Sequence, residues 1–182
     1  MNSRRINTLV LTAMLTAIVF LCTLLIRIPI GPECYVHFGF SALLLSTMIL
    51  PRKYACFAGA VGTALTDLMG GYAFWALPTF IINLLCVLVF GFFIDRVKPT
   101  ECTCHSSIPV FELLGYIGVT IVSMAGHFVS ETLIFGNWIA AASCMLPKAI
   151  EIIIASIICC LAYSALSRTQ FKNSMRYKRC RC

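Results

Sequence analysis

Two long apolar stretches without a charged residue limit what this chain can fold into. They run from Ile6 to Ile26 and from Leu68 to Ile94. A helix that crosses the hydrocarbon core of a bilayer, about 30 Å thick, needs roughly 20 apolar residues, and both stretches reach that length. Only 12% of the 182 residues are charged and 60% are hydrophobic, so there are too few polar side chains to cover a water-facing surface. The sequence therefore excludes a soluble globular protein and predicts an integral membrane protein of several helices.

Prolines, glycines and charged residues divide the chain into predicted helices. The first helix is longer than the apolar region of a secretory signal, about 7 to 15 residues, and is predicted to be retained. Pro78 and Pro147 suit the first position of the fourth and sixth helices, and Gly136-Asn137 suits the end of the fifth. The second helix is short for a span, and the third is rich in Ala and Gly, which favour close packing. We predict a single all-α transmembrane domain with six helices at residues 6–26, 38–50, 54–69, 78–94, 109–135 and 147–167.

The basic residues are distributed unevenly along this topology. With six helices both chain ends lie on one side of the membrane, and that side carries 12 of the 14 Lys and Arg residues. The positive-inside rule places this side in the cytoplasm. We therefore predict a multi-pass protein of the cell membrane with both termini cytoplasmic and a basic tail, residues 168–182, lying on anionic lipid. Membrane topology accounts for the net charge of +7 without a nucleic-acid partner.

Neither the cysteines nor the short motifs indicate an enzyme. Six of the 11 cysteines, Cys144 among them, stand in apolar segments and are interpreted as small hydrophobic residues. Two C-x-C pairs, Cys102 with Cys104 and Cys180 with Cys182, lack the usual spacing of structural zinc sites, so we predict no metal there. G-x-S-x-G, H-E-x-x-H and G-x-x-x-x-G-K-[ST] motifs are all absent. We predict neither catalysis nor a cofactor.

Ionisable residues gather at the predicted helix ends on the outer side. A charge at the middle of a bilayer costs roughly 2.5 to 3.5 kcal/mol or more, so a cluster of charges must be paired, solvated or functional. His127 and Glu131 are four residues apart and Lys148 and Glu151 three, so each pair shares a helix face. Together with aromatic residues, they predict an outward-facing cavity for a small, flat, polar molecule. The ionisable residues are His37, Asp67, His127, Glu131, Lys148 and Glu151, and the aromatic residues are Tyr72, Trp75 and Trp138.

Several of these residues also fit purely structural roles. The charged pairs satisfy each other in one interpretation, and the aromatic residues form an interfacial belt in another. Asp67 at the end of the third helix also suits a bond to loop amides or a pair with Arg27. Asn83 also suits a hydrogen-bonded bridge between two helices.

Six runs of sequence then point to a known family, and they are Val36 to Phe40, Gly62 to Tyr72, Pro78 to Ile82, Gly126 to Phe128 with Glu131, Gly136 to Trp138, and Leu146 to Glu151. Through these runs the chain resembles, over almost its whole length, the substrate-binding S components of energy-coupling factor (ECF) vitamin transporters. The resemblance implies a six-helix domain, a ligand cavity near the outer face, and an alanine motif in the first helix that contacts a transmembrane T subunit. Ala13 and Ala17 match that motif.

The resemblance implies a high-affinity binding subunit that captures a water-soluble vitamin or precursor outside the cell. Delivery would then run through a T subunit and two ATPase subunits. Similar sequences often carry Lys at the position of Asn83, Tyr at that of His127, and Asn and Gln at those of Lys148 and Glu151. These departures suggest an anionic or zwitterionic ligand, and the resemblance is closest to S components for pyridoxine-type or hydroxymethylpyrimidine-type heterocycles. The predicted substrate contacts are His37, Tyr72, Trp75, Thr79, Asn83, His127, Glu131, Lys148 and Glu151.

Two rival hypotheses use the same polar residues differently. The first is an independent membrane metal carrier or membrane enzyme with His127, Glu131 and Glu151 as ligands or acid/base groups. The second is a scaffold whose polar pairs only fix the register of the bundle.

Overall fold

Six helices and a short antiparallel hairpin make up the described part of the chain. The structure is a computed structural model that describes residues 3–29, 35–96 and 110–168. The prediction of an all-α fold with six helices is confirmed, except that the predicted first loop contains the hairpin, in which Arg27 pairs with His37. The elements are α1 (Ser3–Leu25), β1 (Arg27–Pro29), β2 (Tyr35–His37), α2 (Gly39–Ile49), α3 (Arg52–Met69), α4 (Ala73–Arg96), α5 (Val110–Phe135) and α6 (Trp138–Arg168).

The helices form a closed ring in which α2 takes the most buried place. α1 packs on α3, α3 on α4, α4 on α5, α5 on α6, α6 on α2, and α2 on α1. α2 also contacts α3 and α4, and nine of its 11 residues are buried. A helix that is apolar on all sides belongs in a core. Because α2 packs on protein rather than on lipid, it does not need the length of a membrane span.

Of the six described helices, four are long and apolar enough to cross a membrane, so the prediction of six transmembrane helices is supported in part. They are α1, α4, α5 and α6, and their outward faces carry exposed apolar side chains such as Leu77, Leu133 and Leu161. So much exposed apolar surface is stable in lipid and not in water. α3 does not meet the same criterion, since its 18 residues include Arg52, Lys53 and Asp67. The chain is a multi-pass membrane protein.

The small residues of α3 lie on its buried side. Ala58, Gly59 and Gly62 pack inward, while Phe57 is exposed. A Cβ atom on Gly62 would lie 3.0 Å from a methyl carbon of Val19 in α1. Small residues therefore let the α1 and α3 backbones approach closely, as the composition of α3 predicts.

Two helix starts differ from the prediction because proline lies inside both helices. α4 begins at Ala73 rather than Pro78, and α6 begins at Trp138 rather than Pro147. Residues 73–77, which lie between the predicted third and fourth helices, are helical. A proline removes one backbone hydrogen bond, but membrane helices tolerate this loss where neighbouring groups satisfy the freed carbonyl. Proline at these two positions therefore did not mark a helix start.

The junction between α5 and α6 follows from two residues. Gly136 has a positive φ of 64°, which ends α5 as predicted. The Asn137 side-chain oxygen accepts a hydrogen bond from the backbone N–H of Ile139 at 2.9 Å. This bond caps the first turn of α6 and explains why the helix begins at Trp138.

The end of the bundle opposite the hairpin carries a surface ion pair. Arg52 at the start of α3 donates to Asp95 near the end of α4, with Nη2 and Oδ2 2.5 Å apart. Both side chains are more than 40% exposed, so the pair adds little stability, on the order of 0.2 to 1 kcal/mol. The predicted tail from residue 169 onward and both C-x-C pairs lie outside the described residues.

Candidate ligand site

A cavity opens at the end of the bundle where the hairpin lies. Its volume is about 60 Å³, and its wall includes residues of all six helices and of β2. Because the helices alternate in direction, the ends of α1, α3 and α5 meet the beginnings of α2, α4 and α6 there. Polar side chains that are far apart in sequence are thus brought together. The lining residues are Thr23, His37, Phe40, Asp67, Trp75, Thr79, Asn83, His127, Glu131, Cys144, Pro147 and Lys148.

Seven of the nine predicted contact residues line this cavity, and two do not. Tyr72 lies at the turn between α3 and α4, is 42% exposed and is not part of the lining. Glu151 is 2% exposed and lies behind the wall. Trp138, the other tryptophan, is 65% exposed and also lies outside the lining. The seven that line the cavity are His37, Trp75, Thr79, Asn83, His127, Glu131 and Lys148.

Glu151 connects two residues of the cavity wall. Its Oε2 atom accepts a hydrogen bond from Lys148 Nζ at 3.0 Å. Its Oε1 atom lies 3.2 Å from Nδ1 of His37 and also accepts the backbone N–H of His37 at 3.4 Å. The predicted pair between Lys148 and Glu151 is therefore present, and it extends to the hairpin.

Asn83 bridges two helices and lines the cavity as well. Its Nδ2 atom donates to Oγ1 of Thr63 at 2.9 Å, which joins α4 to α3, and Asn83 is only 5% exposed. A buried amide needs such a partner, because an unsatisfied donor costs about 1 to 3 kcal/mol. The bridging role considered from the sequence is thus confirmed, and it holds the side chain at the cavity.

His127 and Trp75 give the cavity a polar and an aromatic wall. The Nδ1 atom of His127 is buried and has no hydrogen bond within the described part of the chain. The Trp75 ring lies 6.1 Å from that of Phe135, centroid to centroid, and 6.0 Å from that of Phe74. These distances are within the range of favourable aromatic pairs, which fix the orientation of the indole.

Sequence reasoning missed several lining residues. Cys144 was interpreted as a small hydrophobic residue, but it is disulfide-bonded and lines the cavity, so that interpretation is wrong. The other described cysteines, which are Cys22, Cys56, Cys86, Cys159 and Cys160, are free thiols. The sequence predicts Asp67 among the ionisable residues near the outer side, because a carboxylate at the end of an apolar helix is conspicuous. It does not predict that Asp67 contacts the substrate. Thr23, Phe40 and Pro147 carry no such signal.

The described residues do not form the set of ligands that the rival metal-site hypothesis requires. Within the described ranges, no group of three or more His, Cys, Asp or Glu side chains is placed to hold a metal ion. His127 and Glu131 line the cavity, whereas Glu151 is engaged with Lys148 and His37.

The fold and the cavity together define a class, a helical membrane protein with a polar, aromatic-walled cavity at one end of its bundle. The family model of the ECF-type riboflavin transporter S component matches residues 3–168. The chain belongs to that family. It is accordingly a subunit of a vitamin uptake system and not an enzyme, and S components of this type act with a T subunit and ATPases.

Two individual proteins are also similar to this chain. An "uncharacterized protein in gap 3'region" of Pyrococcus woesei is 37% identical over 103 residues, which cover 55% of this chain and 69% of that protein. The crystal structure of the S component for biotin from an ECF-type ABC transporter matches with a TM-score of 0.62. That match covers 97% of this chain and 99% of the other at 21% identity, so it supports the fold alone.

Proposed function

We propose that this chain binds a flat, water-soluble heterocyclic vitamin or vitamin precursor in the cavity at the hairpin end and delivers it to an ECF transporter. The observation that carries the proposal is the buried Nδ1 atom of His127, which stands in the wall of a cavity that also presents Trp75. A heteroaromatic ligand supplies what such a wall lacks, namely a hydrogen-bonding partner for the imidazole and a face to stack on the indole.

The charged lining favours a ligand with both donors and acceptors. Asp67 and Glu131 present carboxylates as acceptors, and Lys148 presents an ammonium as a donor. Asn83 and Thr79 add uncharged polar groups. Charge-assisted hydrogen bonds of this kind orient a small polar ligand and select against apolar ones.

The size of the ligand is the finer part of the proposal. The family description names riboflavin, which has three fused rings, whereas the sequence resemblance points to single-ring pyridoxine-type or hydroxymethylpyrimidine-type compounds. Cavities for drug-sized ligands measure roughly 300 to 1,000 Å³. A cavity of about 60 Å³ must widen for any of these compounds, and it must widen least for a single ring. We therefore favour a single-ring heterocycle and treat riboflavin as the principal competitor.

Charge and disulfide chemistry support an outward-facing cavity. Arg5, Arg52, Lys53 and Arg96 all lie at the opposite end of the bundle, which the positive-inside rule assigns to the cytoplasm. The cavity end carries the disulfide of Cys144, and disulfides persist mainly in oxidising compartments outside the cytosol. The proposed location is the cell membrane, with both termini cytoplasmic and the ligand entering from outside.

A binding panel with one blocked variant tests this function. Thr79 lines the cavity, whereas Leu77 on the same helix is 68% exposed and points away from it. We expect the natural chain in detergent to bind one compound among pyridoxine, hydroxymethylpyrimidine, riboflavin and biotin with a Kd below about 1 μM by calorimetry. Thr79→Trp fills the cavity and should weaken binding more than about 100-fold, while Leu77→Trp should not. Failure of the natural chain to bind any of the four below about 1 mM would contradict the proposal.

A further inference from the structure

Glu151 is a buried carboxylate of the site that does not belong to the cavity lining. It is 2% exposed, while both of its partners, His37 and Lys148, do line the cavity. Each oxygen serves a different partner, Oε1 contacting His37 and Oε2 accepting the Lys148 ammonium. The carboxylate thus occupies a place behind the wall, with its two hydrogen-bonding edges turned toward wall residues.

The two partners belong to different elements. Lys148 lies one helical turn before Glu151 on α6, whereas His37 is the last residue of β2 and is 114 positions away. The Oε1 contact includes the backbone N–H of His37, so it holds the strand itself and not only the imidazole. Because His37 pairs with Arg27, the same contact reaches β1 through the hairpin.

Lysine needs such a partner to act at a defined point. Its ammonium sits on a flexible four-carbon stem with many rotamers. When a ligand contacts a mobile side chain, ordering that side chain costs conformational entropy, and this cost lowers the affinity. A binding site reaches its full strength when its contact residues are held by residues behind them. Lys148 is only 16% exposed and is held at 3.0 Å, so its orientation is already set.

We propose that Glu151 is a positioning residue that does not touch the ligand but fixes the Lys148 ammonium and the β2 strand in the cavity wall, and thereby lengthens the time for which the ligand stays bound. The inference rests on the proposed function and names a role within the same site. It replaces the expectation from sequence that Glu151 itself contacts the ligand. The loss of a preorganised wall acts mainly on dissociation, since most affinity differences among related complexes lie in that rate.

A double-mutant cycle tests whether Glu151 acts through Lys148. The ligand is the compound that the natural chain binds among pyridoxine, hydroxymethylpyrimidine, riboflavin and biotin. Glu151→Gln keeps the shape of the side chain and removes its charge, and Lys148→Met removes the ammonium. We expect Glu151→Gln to raise the dissociation rate about tenfold and Glu151→Asp, which keeps the carboxylate, to recover part of that loss. In the Lys148→Met background, Glu151→Gln should add less than about a threefold further loss of affinity, because coupled residues are not additive. Losses that multiply would overturn the claim that Glu151 acts through Lys148, since they would mean that its contribution to binding does not depend on the ammonium.

Hydrogen exchange on the protein without added vitamin tests the second part. Glu151→Gln should speed exchange in the peptide that carries Tyr35 to His37, because the His37 N–H loses a charged acceptor. Asp95→Asn, which breaks the ion pair with Arg52 at the other end, serves as the matched control and should leave this peptide unchanged. Unchanged exchange in Glu151→Gln would overturn the positioning role even if the chain binds its vitamin. A natural chain that binds nothing while its Glu151→Gln variant exchanges faster would instead contradict the proposed function alone.

Discussion

Replacing Ala13 and Ala17 together by tryptophan is expected to abolish vitamin uptake while leaving ligand affinity nearly unchanged. Both alanines are exposed on α1, on a face shared with Val10, Met14 and Ile18. The opposite face of the helix packs into the bundle through residues such as Leu15 and Val19. Small residues at this spacing let another membrane helix approach closely, and two indoles would hold that helix away. The cavity lies at the far end of α1, near Thr23, so binding should be spared.

A matched control for this double substitution is an exposed pair of residues with the same spacing on another helix. Ile157 and Leu161 on α6 are also four residues apart and exposed, at 55% and 66%. Tryptophan at both of these positions should leave uptake largely intact if lipid, and not the T subunit, covers that face. Uptake would be measured with labelled vitamin in cells that express the ECF module, and binding with purified variants. Full uptake by the variant with both Ala13→Trp and Ala17→Trp would contradict the proposal that the T subunit docks on this face of α1.

The second large effect concerns Trp75, whose removal is expected to weaken ligand binding by about 10- to 100-fold. Its indole lines the cavity and is held by Phe74 and Phe135, so it offers a fixed surface for a flat ring. Loss of the aromatic contact and of its buried area costs on the order of 1.5 to 3 kcal/mol, and each 1.4 kcal/mol is tenfold in Kd. Trp75→Phe keeps an aromatic face and should retain most of the affinity.

The chain offers its own control and its own reporter for this experiment. It has two tryptophans, and Trp138 is exposed and outside the cavity, so Trp138→Ala should leave the Kd unchanged. In a Trp138→Phe variant, Trp75 is the remaining tryptophan, and its fluorescence should change on titration with the bound vitamin. Equal losses of affinity in Trp75→Ala and Trp138→Ala would mean that the stacking surface has been assigned to the wrong residue.

Much of this fold was predictable because its strongest signals are local. The length of the apolar segments predicts the helices, and charged residues together with Gly136 predict several helix ends. Because successive helices alternate in direction, the sequence also predicts the side of the membrane on which the polar residues meet. The starts of α4 and α6 were missed because Pro78 and Pro147 have the same appearance in sequence at a helix start and inside a packed membrane helix. The hairpin was missed because strands of three residues carry no periodicity.

The residues of the site are predictable from the sequence only in part. Ionisable residues stand out against an apolar background, so the sequence predicts a polar cluster that includes His37, Asp67, His127, Glu131 and Lys148, and the structure brings these five residues to one cavity. Whether a side chain faces the cavity or lies behind its wall depends on packing, and this separates Lys148 from Glu151. The disulfide of Cys144 depends on the proximity of another segment and leaves no trace in the spacing of cysteines.

The most direct test of the central claim, a vitamin held in the cavity, is mass spectrometry of small molecules released by denaturing the detergent-purified protein. A tight-binding subunit should keep its ligand through purification, since a sub-micromolar Kd combined with slow release outlasts the procedure. We predict one heterocyclic compound in near-stoichiometric amount from the natural chain and from Leu77→Trp, and little or none from Thr79→Trp. A natural chain that releases no such compound, and that stays empty after incubation with the four vitamins and precursors, would contradict the account.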